Sequence, residues 1–230
     1  METLDTTGSW FKSRFDLTPA TAFMALKDWK DEGRQSLWFD SCHYRINLLW
    51  ENGELWIRDL HLFDETYAER YLAEVCTTPN CLYDTLPVVD GNLWAAGPER
   101  TGLRFVQIPP SGVIAPLHGG IPEVFEEDLS TLRVSWPLQT GGKLDIYLFP
   151  NGMRGTTGGV DWGLQCSGMD IGRLTLSDVH SDRMDFVHEG HGYSVHCKCG
   201  NMVNMRKGSR LFARAASGCL DLCMTKSCSK

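Results

Sequence analysis

Apolar and polar residues alternate most clearly between His43 and Glu65, in the run HYRINLLWENGELWIRDLHLFDE. Asn52-Gly53 at its centre predicts a two-residue type I′ turn, since both central positions need positive φ and these two residues tolerate it. That turn sets Trp50 opposite Leu55, Leu48 opposite Ile57, Asn47 opposite Arg58, Ile46 opposite Asp59 and Tyr44 opposite His61. Side chains alternate with period two, and directly opposed pairs share a face. One face then carries Ile46, Leu48, Trp50, Leu55 and Ile57 and ends in Tyr44, Asp59 and His61. The other carries His43, Arg45, Asn47, Leu49, Trp56, Arg58, Leu60 and Leu62. The first is the better core face, yet it finishes in a phenol, a carboxylate and an imidazole. A buried ionised carboxylate must be paired or must look into a cavity. The pattern therefore points either to an ion pair closing the core or to a site at the open end of the hairpin.

Elsewhere the periodicities are shorter. Residues 10–17 alternate loosely and predict an opening strand. Thr18-Pro19 reads as an N-cap and first helical position, and Ala22, Ala25, Leu26 and Trp29 recur at helical spacing up to Lys30. Asp64 would cap a second helix over residues 65–75, with Ala68, Tyr71, Leu72 and Val75 on its apolar side. Residues 83–91 form a short extended segment ending in an Asp-Gly turn. From residue 103 onward the pattern predicts strands at 103–108, 132–136, 144–149, 162–166, 173–176, 184–188, 193–199 and 218–224. Gly141-Gly142 makes a second hairpin. Short strands at this spacing without helical interruption indicate a mainly β fold, an antiparallel sandwich or jelly roll with two helices of the N-terminal half packed on the sheet. With no linker or repeat, residues 1–230 are expected to form one domain. The glycine-rich run at 151–159 lacks the Gly-Lys-Ser/Thr of a phosphate loop and reads as a surface connection.

Charge narrows the classes. The net charge is −7 and no basic run occurs, which disfavours nucleic-acid binding through phosphates. No apolar stretch approaches the ~20 residues of a membrane span. METLDTTGSW has neither the basic nor the apolar region of a secretory signal, so a cytoplasmic location is expected. Nine cysteines are an odd number, leaving at least one unpaired, and a reducing compartment with free thiols is the consistent reading. Cys197-x-Cys199 places two thiols on one strand face and is not a zinc knuckle. Cys219-x3-Cys223 lacks a matching pair, so no metal or cofactor is expected. Gly-x-Ser-x-Gly and His-Glu-x-x-His are absent, as are nucleotide fingerprints.

Eight tryptophans change the picture. Several stand beside acids and arginines: Trp38 near Asp40, Trp56 near Arg58 and Asp59, Trp94 near Asp90, and Trp162 near Asp161. Flat aromatic faces can stack on sugar rings while carboxylates and guanidinium groups bond hydroxyls, so a carbohydrate-active enzyme is the first expectation. Glycoside hydrolysis needs one carboxylic acid and one carboxylate nucleophile or base. Asp59 and Glu65 are the leading pair, with Asp64 and Asp90 in reserve. His61 and Tyr44 would tune or position them, or supply the base of a lyase. Trp56, Arg58, Arg45, Asp90 and Trp94 would bind the substrate. Two other classes compete: a non-catalytic carbohydrate-binding subunit, and a protein-interaction sandwich whose exposed tryptophans meet a partner. Self-association is left open by the sequence.

Overall fold

A computed structural model describes residues 3–28, 30–77, 85–170, 173, 175–205 and 210–225. Most of the chain forms strands, because its apolar residues recur in short runs punctuated by glycine and proline. The first sheet runs in the order β1 (Thr21–Ala25), β2 (Arg34–Asp40), β3 (Tyr44–Glu51), β4 (Glu54–Leu62), β6 (Gly102–Gln107), β12 (Trp162–Ser167), β17 (Leu211–Arg214) and β16 (Asn201–Met202). Two more strands join it: β5 (Leu86–Asp90) pairs with β4 and β7 (Ala115–Pro116) with β6. The second sheet runs β13 (Leu176–Val179), β14 (Arg183–His188), β15 (His191–Cys199), β18 (Cys219–Cys223), β11 (Gly152–Thr157), β10 (Lys143–Phe149), β9 (Leu132–Pro137) and β8 (Glu123–Glu126). Both sheets are antiparallel, and one apolar cluster draws on the inner faces of both. This is a two-sheet sandwich, as the strand spacing predicts.

Tryptophan fills that interior. Trp50, Trp136 and Trp162 are fully buried. The Trp162 ring, on the first sheet, stacks on Phe105 with centroids 5.7 Å apart, and its indole N–H donates to the Gly218 carbonyl at 3.0 Å. It reaches across to Gly155 of the second sheet, where a Cβ would lie only 2.5 Å from the ring. Tyr44 is a second strut. Its hydroxyl lies 2.7 Å from the carbonyl of Gly152 and 2.9 Å from that of Phe149, so β3 is bonded to the opposite sheet.

The N-terminal elements differ from the sequence expectation. The first is a helix, α1 (Leu4–Arg14), not a strand over residues 10–17. The side chain of Thr3 caps it by accepting from the Thr6 amide, while Asp5 and the pair Lys12 and Arg14 suit the two ends of its dipole. The helix expected over residues 19–30 is instead the edge strand β1, whose Thr21–Ala25 pair with Ser36–Asp40 of β2. Pairing with an available sheet edge outweighs the weak helical propensity of TAFMA. Over residues 65–75 only one turn of helix forms, α2 (Arg70–Ala73), and Leu72 and Val75 stay exposed. Asp64 accepts from the amide and hydroxyl of Thr66, making a local turn in place of a helix cap. Neither helix contains a buried residue.

Two later expectations also change. The run 151–159 is mostly not a loop: its residues Gly152–Thr157 form β11, which lies between β10 and β18 inside the second sheet. Its glycines pass where side chains would collide, as at Gly155. Near residue 176 the strand begins at Leu176 rather than ending there. Cys223 is disulfide-bonded, which corrects the expectation of uniformly free thiols; Cys42, Cys166, Cys197, Cys199 and Cys219 are free. By sequence spacing, Cys76 and Cys81, five residues apart around a proline, could close a small disulfide, but Cys81 lies outside the described residues. No helix among the described residues is long and apolar enough to cross a membrane.

Gly155→Ala should force the Trp162 ring aside. Overpacking of this kind costs about 1–3 kcal/mol. Urea unfolding should show a lower midpoint with an unchanged slope.

Candidate functional site

The central hairpin forms as its turn predicts, with Asn52 and Gly53 both at positive φ. Its register holds from Glu51↔Glu54 through Leu48↔Ile57 and then shifts by one residue. Arg58 is the extra residue of a β-bulge. Beyond it Asn47 pairs with Asp59, Ile46 with Leu60, Arg45 with His61 and Tyr44 with Leu62. One inserted residue turns every later side chain to the opposite face. Asp59 and His61 are therefore not on the core face with Tyr44. They stand on the outer face with Arg45, Asn47 and Trp56, while Leu60 and Leu62 enter the core.

The bulge sits where β4 changes neighbours. On the edge away from β3, Trp56 and Ile57 pair with β6, whereas Asp59 to Leu62 pair with β5. Two glycines make room for the fork. A Cβ on Gly102 would approach the Ile57 carbonyl to 2.5 Å, and one on Gly91 would approach the Arg58 carbonyl to 2.6 Å. The Gly91 amide donates to that Arg58 carbonyl at 2.7 Å.

The fork places Asp59 directly opposite Asp90. Like charges at such positions repel, so a cation is required between or beside them. Arg45 binds Asp59 through two bonds, Nε–H to Oδ1 at 2.8 Å and Nη2–H to Oδ2 at 3.1 Å. His61 Nε2 lies 3.5 Å from Asp59 Oδ2 and 3.5 Å from Asp90 Oδ2. Asp59, His61 and Asp90 are respectively 3%, 5% and 6% exposed, too enclosed for a substrate to reach without movement. Burial raises the Asp90 carboxyl, but His61 and the amides of Leu93 and Asn92 outweigh it and hold the group below its ordinary value. For Asp40, burial raises the carboxyl; Arg45 offsets part of this and the charge on Asp59 adds to it.

The other sequence candidates separate. Tyr44 belongs to the core, and its burial pushes the phenol well above its usual range, which suits a strut and not a base. Glu65 is exposed and lines a different cavity, of 420 Å³, with Asp64, His43, Cys42 and Ser194. Asp64 in that cavity is held by Thr66 and by His191 Nε2 at 3.1 Å. Trp56 and Trp94 are both buried, and the Arg104 guanidinium covers the Trp56 ring at 5.2 Å. Arg58 has another setting. It lines a polar hollow of 520 Å³ with Glu51, Asn92, Glu99, Arg100 and Thr101.

That hollow depends on Asp90 at one remove. Asp90 Oδ1 accepts from the amides of Asn92 and Leu93 at 2.9 and 2.7 Å, fixing the loop that supplies one wall. Arg58 Nη2–H donates to the Gly91 carbonyl and to Asn92 Oδ1, at 3.0 and 2.9 Å. Arg100 pairs with Glu51, which also accepts from Arg34 at 2.5 Å. Burial, and next the nearby charge of Arg100, hold Arg58 below the usual guanidinium range. Glu51, Asn92, Glu99 and Arg100 were not singled out by sequence pattern. The Asp-Gly turn at Asp90 was the available signal for Asn92; nothing comparable marks Arg100.

Removing Arg45 should leave Asp59 buried opposite Asp90 without its main counter-charge. Arg45→Met is expected to cost about 3 kcal/mol, the low end for breaking a buried pair, because the Arg45 side chain keeps 23% exposure. Adding Asp59→Asn to that variant should recover most of the loss in a denaturant titration.

No family model, curated protein or solved structure matches this chain.

Proposed function

We propose that the protein binds an acidic carbohydrate in the hollow formed by Glu51, Arg58, Asn92, Glu99, Arg100 and Thr101. The observation that carries this reading is the convergence of two guanidinium groups on one polar concavity. Each arginine has its position fixed by neighbours, and Arg58 bears the cost of burial and of the charge on Arg100. A carboxylate or sulfate would relieve that repulsion through charge-assisted hydrogen bonds. Asn92, Thr101 and the two glutamates supply the mixed donors and acceptors that sugar hydroxyls need. At 520 Å³ the hollow falls within the range of small-ligand sites, but its polar lining suits a hydroxyl-rich ligand better than an apolar one.

Binding without catalysis is favoured over hydrolysis at Asp59, since Asp59 is enclosed and doubly bonded to Arg45, while Glu65 lines another cavity. Hydrolysis has one observation in its favour. Glu51 and Glu99 are two carboxylates lining the same hollow, the minimum an acid/base pair requires.

Titration calorimetry with uronate oligosaccharides and their neutral counterparts tests the proposal. Acidic sugars should bind, neutral ones should bind at least tenfold more weakly, and Arg100→Gln should remove the difference. Equal affinity for both series, or an Arg100→Gln variant that still discriminates, would overturn it. Release of reducing ends that stops in Glu99→Gln would turn the binder into a hydrolase.

A further inference from the structure

Behind the wall of that hollow, Asp59 Oδ2, Asp90 Oδ2 and His61 Nε2 all lie within 4.8 Å of one another. Each of the three side chains is more than nine-tenths buried. His61 Nε2 makes no hydrogen bond, although it is enclosed and aimed between two carboxylates. We infer that these three atoms bind a divalent transition-metal ion, independently of what occupies the hollow.

Four observations carry the inference. The separations of 3.5 Å from His61 Nε2 to each carboxylate oxygen match coordination edges, since a tetrahedral ion with bonds of about 2.1 Å holds its ligand atoms roughly 3.4 Å apart. The outer atoms of all three ligands are already engaged. His61 Nδ1 lies 2.7 Å from the Thr85 hydroxyl, Asp90 Oδ1 accepts two amides, and Asp59 accepts from Arg45 through Oδ1 and, at 3.1 Å, through Oδ2, whose second lone pair remains for the ion. Second partners of this kind orient metal ligands, and a proton on His61 Nδ1 leaves Nε2 with its lone pair facing inward. Charge agrees: Asp40, Asp59 and Asp90 outnumber the guanidinium groups acting on them, Arg45 on Asp40 and Asp59 and Arg58 on Asp90, so the cluster keeps an excess of negative charge when His61 is neutral. Finally, Asp59 and Asp90 are opposed across paired strands, a placement that a shared cation turns from repulsive to attractive. An imidazole with two carboxylates suits a borderline ion such as zinc, cobalt or iron(II) more than calcium or magnesium.

The competing occupant is a proton, which would make His61 an imidazolium bridging the same carboxylates. Cobalt(II) added to metal-stripped full-length protein, both native and during refolding, separates the two. The expected result is visible d–d absorption saturating at one ion per chain, with no thiolate charge-transfer band from the free cysteines. Asp90→Asn, nearly isosteric, should abolish that absorption. Thr85→Val, which removes only the outer bond to His61, should weaken binding about 10–100-fold. Should the Asp90 variant fail to fold, nitrogen NMR of histidine-labelled wild-type protein decides, because coordination shifts one ring nitrogen of His61. The inference is overturned by an absent cobalt spectrum or by a thiolate band that survives Asp90→Asn. It also fails if the His61 ring keeps protons on both nitrogens after cobalt is added.

Discussion

The feature on which the rest of the site depends is one extra residue in β4. Arg58 bulges where the strand leaves one neighbour, β6, and takes up another, β5. That insertion lets Leu60 and Leu62 continue the oily inner face begun by Leu55 and Ile57. It also sends Asp59 and His61 outward, opposite Asp90 and beside Arg45. Without the bulge, a carboxylate and an imidazole would enter a core shared with Trp50 and Ile46. Desolvating those groups there would cost several kcal/mol. The bulge thus resolves a conflict between apolar and ionisable residues within a single strand.

The core gives this outer cluster a rigid floor. Tyr44, next to Arg45 on β3, is bonded to the backbone of the opposite sheet. Trp162 spans the sandwich onto Gly155 and donates to Gly218. Both struts use amphipathic side chains whose apolar bodies fill the interior while their polar ends find carbonyls. Large aromatic residues that suggest sugar stacking in a linear reading serve here mainly as packing. Among the described tryptophans, Trp10 on α1 is the one that is largely exposed.

Asp90 joins the two polar regions. One of its oxygens fixes the Asn92 loop that walls the arginine-lined hollow, and the other faces His61. One carboxylate therefore touches both the buried cluster and the turn that walls the hollow, and Arg58 grips the same turn at Gly91 and Asn92.

Sequence by itself determined the sandwich class, the Asn52-Gly53 turn, the Gly141-Gly142 hairpin and most strands after residue 103, because period-two alternation and turn chemistry are local. It also put Asp59 and His61 on a common face, since residues two apart in a strand share one. Which face that is, only tertiary structure decided. The bulge follows from β5 and β6 meeting β4 end to end, and from Gly91 and Gly102 allowing their backbones close. The partners of Asp59 lie outside its own hairpin strand, Arg45 across the turn and Asp90 about thirty residues on. The hollow of Arg58 and Arg100 is likewise assembled from segments distant in the chain. The edge strand β1 makes the same point: its residues read as helix until β2 offers a row of backbone donors and acceptors. Local pattern marks most of the hairpin strands; the pairing of distant edges decides the others and what all of them present to one another.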